Sequence, residues 1–324
     1  MITILVIGAG GIGMRHMQSI ASLKEPFQCW AIDPSQSALD KVKALLDTMD
    51  TAASFRYITS QNDAPEAADV CVVATSSLVR RAVTEQLLSR KTVRHLVLEK
   101  FLFPCEEDYE AIGALLRQKD VPCFVNTPRC MYPGWQMLEE AFAGFEGKLR
   151  YSLVGGSWGL ACNSIHYLDI LDRLLGGDAA FTYDLSALDP SLCPCKRPGY
   201  IEFSGTLRVG HPHASSIELV CERSNAMWPI QCISTDTLRF VISEPEQRAW
   251  RASLAGGWKL EELPFPIRYQ SQLTATVVEE LMQKGTCELT TYEHSAKLHL
   301  PLLRALLKQY NQYEGKSEKL CPIT

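Results

Sequence analysis

Residues 8–13 read Gly-Ala-Gly-Gly-Ile-Gly and follow directly on the apolar, β-branched run Met1–Ile7. Few sequence features restrict a fold so tightly. A buried strand, a glycine turn with G-x-G-x-x-G spacing and a helix start define the first βα unit of a dinucleotide-binding sheet. Gly8 permits the sharp turn, Gly10 leaves the backbone open to a pyrophosphate, and Gly13 lets the helix pack close to the sheet. Gly11 and Ile12 complete the loop, whose helix N-terminus offers N–H groups and a positive dipole end to phosphates.

The second apolar run, Phe27–Ile32, ends in Asp33, twenty residues after Gly13. A carboxylate there can accept hydrogen bonds from the adenosine ribose hydroxyls. No basic residue follows until Lys41, so nothing obvious would hold a 2′-phosphate, and NAD is expected over NADP. The same spacing is also met in βαβ units whose glycine turn binds nothing.

Strand and helix patterns then alternate. Helix is expected over Gln36–Met49, Val79–Ser89 and Glu106–Gln118, from apolar residues at helical spacing. Short apolar strands are expected at Phe55–Ile58, Asp69–Ala74, His95–Leu98 and Pro122–Val125. Such alternation argues a parallel sheet covered on both faces. Ligands of such sheets bind at the carboxyl ends of the strands, which selects the glycine loop, Asp33, Thr75, Ser76, Ser77, Glu99 and Lys100.

The pattern changes near Asn126. Turn residues Pro128, Pro133 and Gly134 lead to a helix at Trp135–Phe142, a strand at Leu149–Val154 and a helix at Asn163–Leu175. Consecutive strand-like runs follow at Tyr200–Val209, Ser216–Glu222, Ile230–Ser234 and Leu238–Ile242, which suggests an antiparallel sheet. Helices are expected again at Gln272–Lys284 and Glu293–Tyr310, with Glu314–Thr324 as a tail whose Cys321-Pro-Ile-Thr could still pack. The expected division is a dinucleotide-binding domain over 1–125 and a substrate-binding and oligomerisation domain of α+β type over 126–324.

Composition narrows the partners. Net charge is −5, the pI about 5.9, and no basic block occurs, so nucleic acid is not expected as a partner. No apolar stretch reaches the roughly 18 residues of a membrane span, and the first apolar run enters the glycine loop instead of a cleavage site. The twelve cysteines include Cys29, Cys71, Cys123, Cys221 and Cys232 inside apolar runs, the setting of buried free thiols. A reducing cytoplasm is expected. Cys193-Pro-Cys195 is the only close pair and does not make a zinc site, and no metal is expected.

Two residues stand out for chemistry. Lys100, at a strand end facing a cofactor crevice, can donate a proton to an alkoxide; it reads equally well as a solvated lysine closing the strand. His166 lies in Asn163-Ser-Ile-His-Tyr-Leu-Asp169 and shares a helix face with Asp169. It can serve as the base that takes a hydroxyl proton during hydride transfer, or as an ordinary histidine satisfied by its neighbours. Arg129 could grip a carboxylate or phosphate or brace the junction. His16 follows the glycine loop and is expected at the pocket mouth. His211, His213, His294 and His299 are expected at the surface. Trp158, Tyr200, Trp228, Trp250 and Trp258 could floor a sugar site or belong to core and interface.

In this order the motifs resemble the Gfo/Idh/MocA oxidoreductases, glucose–fructose oxidoreductase, inositol dehydrogenase and relatives. The resemblance rests on GAGGIGMRH at 8–16, ATSS at 74–77, LEKF at 98–101, N-x-x-R at 126–129 with Pro133, and H-x-x-D at 166–169, and covers most of the chain. It implies a Rossmann domain followed by a domain with a large open, mostly antiparallel sheet that commonly builds homodimers or homotetramers. It further implies NAD(P)-dependent redox chemistry on a carbon of a small sugar-like substrate: a sugar, cyclitol or nucleotide-sugar. By the resemblance Lys100 and His166 are catalytic. Gly8, Gly10, Gly11, Ile12, Asp33, Thr75, Ser76 and Glu99 bind cofactor, and Lys100, Arg129, Asn163, His166 and Asp169 meet substrate. The chain departs from the family pattern at Phe101 for the proline after Glu-Lys, at Arg80 for a histidine, and at Cys162 for an aspartate four residues before His166. Cysteine cannot supply a fixed negative charge, so a cofactor-binding regulatory or scaffold protein without catalysis is the other reading.

Overall fold

A computed structural model describes residues 1–51, 54–145, 147–195, 197–223 and 227–324. In chain order the first elements are β1 (Ile2–Ile7), α1 (Gly11–Ile20), β2 (Phe27–Ile32), α2 (Gln36–Leu46), β3 (Ser54–Ile58), β4 (Ala67–Val73), α3 (Ser77–Arg90), β5 (Thr92–Glu99), α4 (Glu106–Lys119) and β6 (Cys123–Asn126). Then come α5 (Pro133–Phe142), β7 (Leu149–Gly156), α6 (Leu160–Leu174), β8 (Thr182–Leu188), β9 (Cys193–Pro194), β10 (Ile201–Glu202), β11 (Gly205–Gly210) and β12 (Ala214–Glu222). The chain closes with β13 (Ile230–Ser234), β14 (Leu238–Ser243), β15 (Arg248–Ser253), β16 (Glu261–Pro264), α7 (Thr274–Lys284), β17 (Thr290–Thr291) and α8 (Tyr292–Glu314).

Two compact units result, and the division is discontinuous. Met1–Phe103, Glu107–Met131 and Arg268–Ser295 form the first; Pro104–Glu106, Tyr132–Ile267 and Ala296–Thr324 form the second. A single cut after residue 125 therefore misses the return of 268–295 to the first unit. That segment adds β17 antiparallel to β6 and packs α7 against α1.

The first sheet has the order β17-β6-β5-β4-β1-β2-β3, parallel except at β17. Its central strands are covered on both faces: Ile4, Leu5, Val6, Val70, Val72, Val73, Leu96 and Leu98 are 0% exposed. This explains why they read as unbroken apolar runs and not as alternation. The crossing from β1 to β2 on one side and to β4 on the other puts the strand-order reversal directly beside the glycine loop.

In the second unit the sheet order is β16-β15-β14-β13-β7-β12-β11-β8. Among the described residues only β7 and β12 pair in parallel in this sheet; its other pairs are antiparallel. β7 shows the alternation of a half-covered sheet: Leu149, Tyr151 and Leu153 are buried and Arg150 and Val154 exposed. The expected strand Tyr200–Val209 breaks into β10 and β11, because the chain turns at Gly205 with φ +95°. β8, β15 and β16 carry no clear strand pattern in the sequence; the charged residues of β15 and β16 face solvent and hide their strand period. The helix expected from Asn163 starts earlier, at Leu160, after Gly159 takes a left-handed φ of +83°. The C-terminal residues pack: Cys321 and Ile323 are fully buried, Cys321 N–H donates to Pro104 O, and Ile201 N–H donates to Pro322 O, each at 2.9 Å.

Candidate active site

The glycines of the loop differ in what surrounds them. Gly8 has φ +103°, and a Cβ there would lie 2.9 Å from the backbone of Ala74. A Cβ at Gly13 would fall 1.8 Å from the carbonyl oxygen of Gly8, so α1 can sit this close to β1 only without one. At Gly10 and Gly11 a Cβ would meet nothing within 4 Å. Gly10 is the N-cap of α1, makes no side-chain cap, and no acidic residue follows in the first turn. The result is an open helix N-terminus with bare backbone, which fits a pyrophosphate.

Asp33 closes one side of this loop. Its Oδ2 accepts from Ala9 N–H at 2.7 Å and its Oδ1 from Ser35 N–H at 2.8 Å. The carboxylate thus ties the end of β2 to the glycine loop, where an adenosine ribose can reach it. Thr75 and Ser76 follow β4, and both are half-buried. Ser76 is the N-cap of α3 and, like Gly10, makes no side-chain cap.

Past β5 the structure shows a closed ring of side chains. Glu99 Oε1 accepts from His16 Nε2 at 2.9 Å and from Asn126 Nδ2 at 2.5 Å. Asn126 Nδ2 also donates to Gln270 Oε1 at 2.9 Å, and Gln270 Nε2 lies 3.2 Å from His16 Nδ1. The amide nitrogen can only donate, so Nδ1 accepts and the imidazole proton sits on Nε2, toward Glu99. Thr274 Oγ1 reaches the same Nδ1 at 2.8 Å. Burial pushes the Glu99 carboxyl up; the His16 hydrogen bond, with the positive charges of Arg80 and Lys100, outweighs it and holds the net value below the ordinary range. His16 is 1% exposed, and is a buried member of this ring, not a residue of the pocket mouth. Glu99 Oε1 is turned into the ring as well.

Lys100 is half-buried at the first position after β5. The Lys100–Phe101 peptide is cis. Arg129 lies in the short helical turn Pro128–Met131 after β6 and is half-buried. The first unit therefore gathers at its strand ends the glycine loop, Asp33, Thr75, Ser76, Glu99 and Lys100. The second carries Asn163, His166 and Asp169 on α6.

On α6, Asn163 and His166 are half-buried while Asp169 is 1% exposed. Asp169 can act on a ligand only through neighbouring groups. Asn163 Nδ2 donates to Trp158 O at 2.6 Å. Cys162 Sγ lies 3.7 Å from Gly159 O. A carboxylate does stand at this helix end, supplied from elsewhere. Glu202 of β10, 8% exposed, accepts from Ala161 N–H at 2.8 Å and Cys162 N–H at 3.3 Å. No sequence signal links it to α6, since forty residues separate them and β10 is only two residues long.

The remaining histidines are corrected in part. His211 is buried and bonds Asp178 Oδ1 through Nε2 at 2.9 Å, and His299 is fully buried; neither is at the surface as expected. Asp172, Asp178 and His211 lie close enough together to hold a cation. However, His211 Nδ1 accepts from His213 N–H at 3.2 Å. That leaves the ring proton on Nε2, where a metal would have to bind. Trp228 is 72% exposed and Trp258 39% exposed, Trp258 lying under Arg239 at 5.7 Å. Among the described residues no cysteine forms a disulfide.

The site of the first unit defines a dinucleotide-binding α/β protein. A family model described as an oxidoreductase family with an NAD-binding Rossmann fold, Gfo/Idh/MocA, matches residues 2–127, so this part of the chain is similar to the NAD-binding domain of that family. No curated protein matches the chain. Solved structures share the fold across nearly its full length. UDP-N-acetylglucosamine 3-dehydrogenase GnnA from Acidithiobacillus ferrooxidans aligns with a TM-score of 0.72 at 14% identity, covering 93% of this chain and 95% of that one. A Gfo/Idh/MocA family oxidoreductase from Vibrio cholerae aligns with a TM-score of 0.71 at 14% identity, covering 98% and 100%. An oxidoreductase from Agrobacterium radiobacter, solved with NAD+, L-tartaric acid and magnesium, gives 0.69 at 14%, covering 93% and 94%. Among the described residues no helix is long and apolar enough to cross a membrane.

Proposed function

We propose that the protein is an NAD-dependent oxidoreductase acting on a CH–OH or keto carbon of a sugar, cyclitol or nucleotide-sugar. The observation that carries this reading is the open N-terminus of α1. Bare glycines face empty space there, and Asp33 is bonded to the same loop. Gly8, Gly10, Gly11 and Ile12 would hold the pyrophosphate, Asp33 the adenosine ribose, and Thr75 and Ser76 the cofactor beyond β4. When bound, the nicotinamide supplies the two-electron partner that takes hydride from the carbinol carbon or returns it. In the oxidative direction His166 takes the hydroxyl proton as the carbon–oxygen double bond forms. Lys100 steadies the negative charge that develops on that oxygen. Arg129, Asn163 and Asp169 orient the substrate, Asp169 through its neighbours.

Distant structural relatives that handle a nucleotide-sugar or were solved with a hydroxy acid support a polyhydroxylated substrate. Homo-oligomers are part of the proposal. Val154 and Ile230, cross-strand partners in the second sheet, are 37% and 39% exposed, with Trp228 nearby in sequence, and suit burial against another copy.

Cys162 supports a second reading, a protein that binds the cofactor without turning over. The test is nicotinamide absorbance against a panel of sugars, cyclitols and nucleotide-sugars with NAD or NADH, with Lys100→Ala alongside. A signal lost in the variant supports catalysis. A flat trace across the panel, with cofactor binding proven by titration, favours the second reading.

A further inference from the structure

Arg80 is the fourth residue of α3 and is 1% exposed. Its position gains nothing from the helix. A cation in the first turn opposes the helix dipole, and a buried guanidinium carries a desolvation cost. Local rules broken in this way are kept where something else needs the residue. What the guanidinium does here is hold backbone. Nη1 donates to the carbonyl oxygens of Phe101 and, at 2.7 Å, Leu102, and Nη2 donates to the carbonyl oxygen of Thr75. Thr75 follows β4, whereas Phe101 and Leu102 follow β5. One planar fork therefore fastens together the two loops at the carboxyl ends of neighbouring strands, with Lys100 between Glu99, fixed in its ring of side chains, and Phe101, fixed by Arg80.

The sheet order gives these loops a role. Asp33 at the end of β2 takes the adenosine side of a dinucleotide, and the glycine loop after β1 takes the pyrophosphate. The strands run β2-β1-β4-β5, so the nicotinamide half of an extended cofactor falls over β4 and β5. We infer that Arg80 is a positioning residue for the nicotinamide half of the cofactor, setting the spacing of the Thr75 and Lys100–Leu102 loops. The inference rests on the cofactor reading above and goes beyond it in assigning the buried guanidinium. Lysine cannot replace it, because a single ammonium lacks the planar fork that reaches two loops at once.

The experiment titrates wild type, Arg80→Lys and Arg80→Ala with NADH, followed by its fluorescence, and with ADP-ribose, followed by calorimetry. Melting and far-ultraviolet dichroism are recorded for each. ADP-ribose carries the adenosine and pyrophosphate contacts but no nicotinamide. The expected result is NADH affinity reduced at least tenfold in both variants, with ADP-ribose affinity within twofold of wild type. Guanidinium ion at low millimolar concentration should restore NADH affinity to Arg80→Ala, and equal urea should not. The inference is overturned if NADH binds both variants as tightly as wild type, or if both ligands weaken together. It is also overturned if both variants fail to fold, since Arg80 is then a stability residue. A wild type that binds neither ligand overturns the cofactor reading itself.

Discussion

Gly10 and Gly13 stand three residues apart in one motif, and replacing each with alanine should weaken NADH binding by different routes, with a loss of stability at Gly13 and without one at Gly10. At Gly13 the new Cβ meets the Gly8 carbonyl oxygen at 1.8 Å, where ordinary contact begins near 3.4 Å. The loop or α1 must retreat by about 1.6 Å, the difference of those two distances. The obstacle is backbone and cannot swing aside. Overpacking of this kind costs about 1–3 kcal/mol, against which the better helix propensity of alanine returns about 1 kcal/mol. Gly13→Ala should therefore lose up to about 2 kcal/mol of stability, and NADH binding with it, because the glycine loop is what moves. At Gly10 the Cβ meets nothing and φ is −68°, which alanine adopts freely. The poorer N-cap, about 0.5–1 kcal/mol, and the less flexible unfolded chain, about 0.4–1 kcal/mol in the other direction, nearly cancel. Gly10→Ala should keep its urea midpoint and still bind NADH at least tenfold more weakly, because the Cβ occupies the approach of the pyrophosphate; tenfold is about 1.4 kcal/mol. Urea unfolding and NADH titration on the two variants decide the matter. Wild-type NADH affinity in Gly10→Ala would refute the phosphate assignment, and a Gly13→Ala variant with both stability and NADH affinity unchanged would refute the packing assignment.

Other outcomes follow from the same geometry. Asp33→Ala should weaken NADH by about tenfold, in line with loss of charge-assisted hydrogen bonds worth about 1.5–3 kcal/mol, and wild type should bind NADH more tightly than NADPH; tighter NADPH binding counts against the role of Asp33. Lys100→Ala and His166→Ala should each lower turnover by more than tenfold with melting unchanged, since positioned proton transfer contributes about 10²–10⁴-fold; losses below tenfold in both would remove their catalytic assignment. Glu99 has a folded value held below the ordinary carboxyl range. The stability it confers over Glu99→Gln is complete above the unfolded value of about 4.3 and disappears as pH falls through the folded value. Urea unfolding of the pair between pH 7 and pH 3 should show the gap closing, and a gap that widens on acidification would reverse the assignment.

Much of the first unit is legible in sequence because its determinants are local. The glycine loop, Asp33 and the buried strands are each specified within a few residues, and the strand-end rule then gathers Thr75, Glu99 and Lys100 without any coordinates. The second unit is less legible. β15 and β16 alternate charged and apolar residues irregularly, and β10 is too short to carry a period at all. His211 and His299 are buried against the sequence expectation, because a single histidine in a turn or on a helix gives no sign of which face will be covered.

By itself the sequence determined a parallel Rossmann sheet with its glycine loop, a helix bearing His166 and Asp169, and a cysteine, Cys162, four residues before His166. Only the tertiary structure decided that His16, Glu99, Asn126 and Gln270 close one hydrogen-bonded ring, that Arg80 reaches across from α3 to two strand ends, and that Glu202 caps α6. The physical reason is range. Backbone conformation answers to neighbours a few residues away, whereas a buried polar group is specified by partners that desolvation forces it to find, and those partners here lie up to 258 residues apart in the chain.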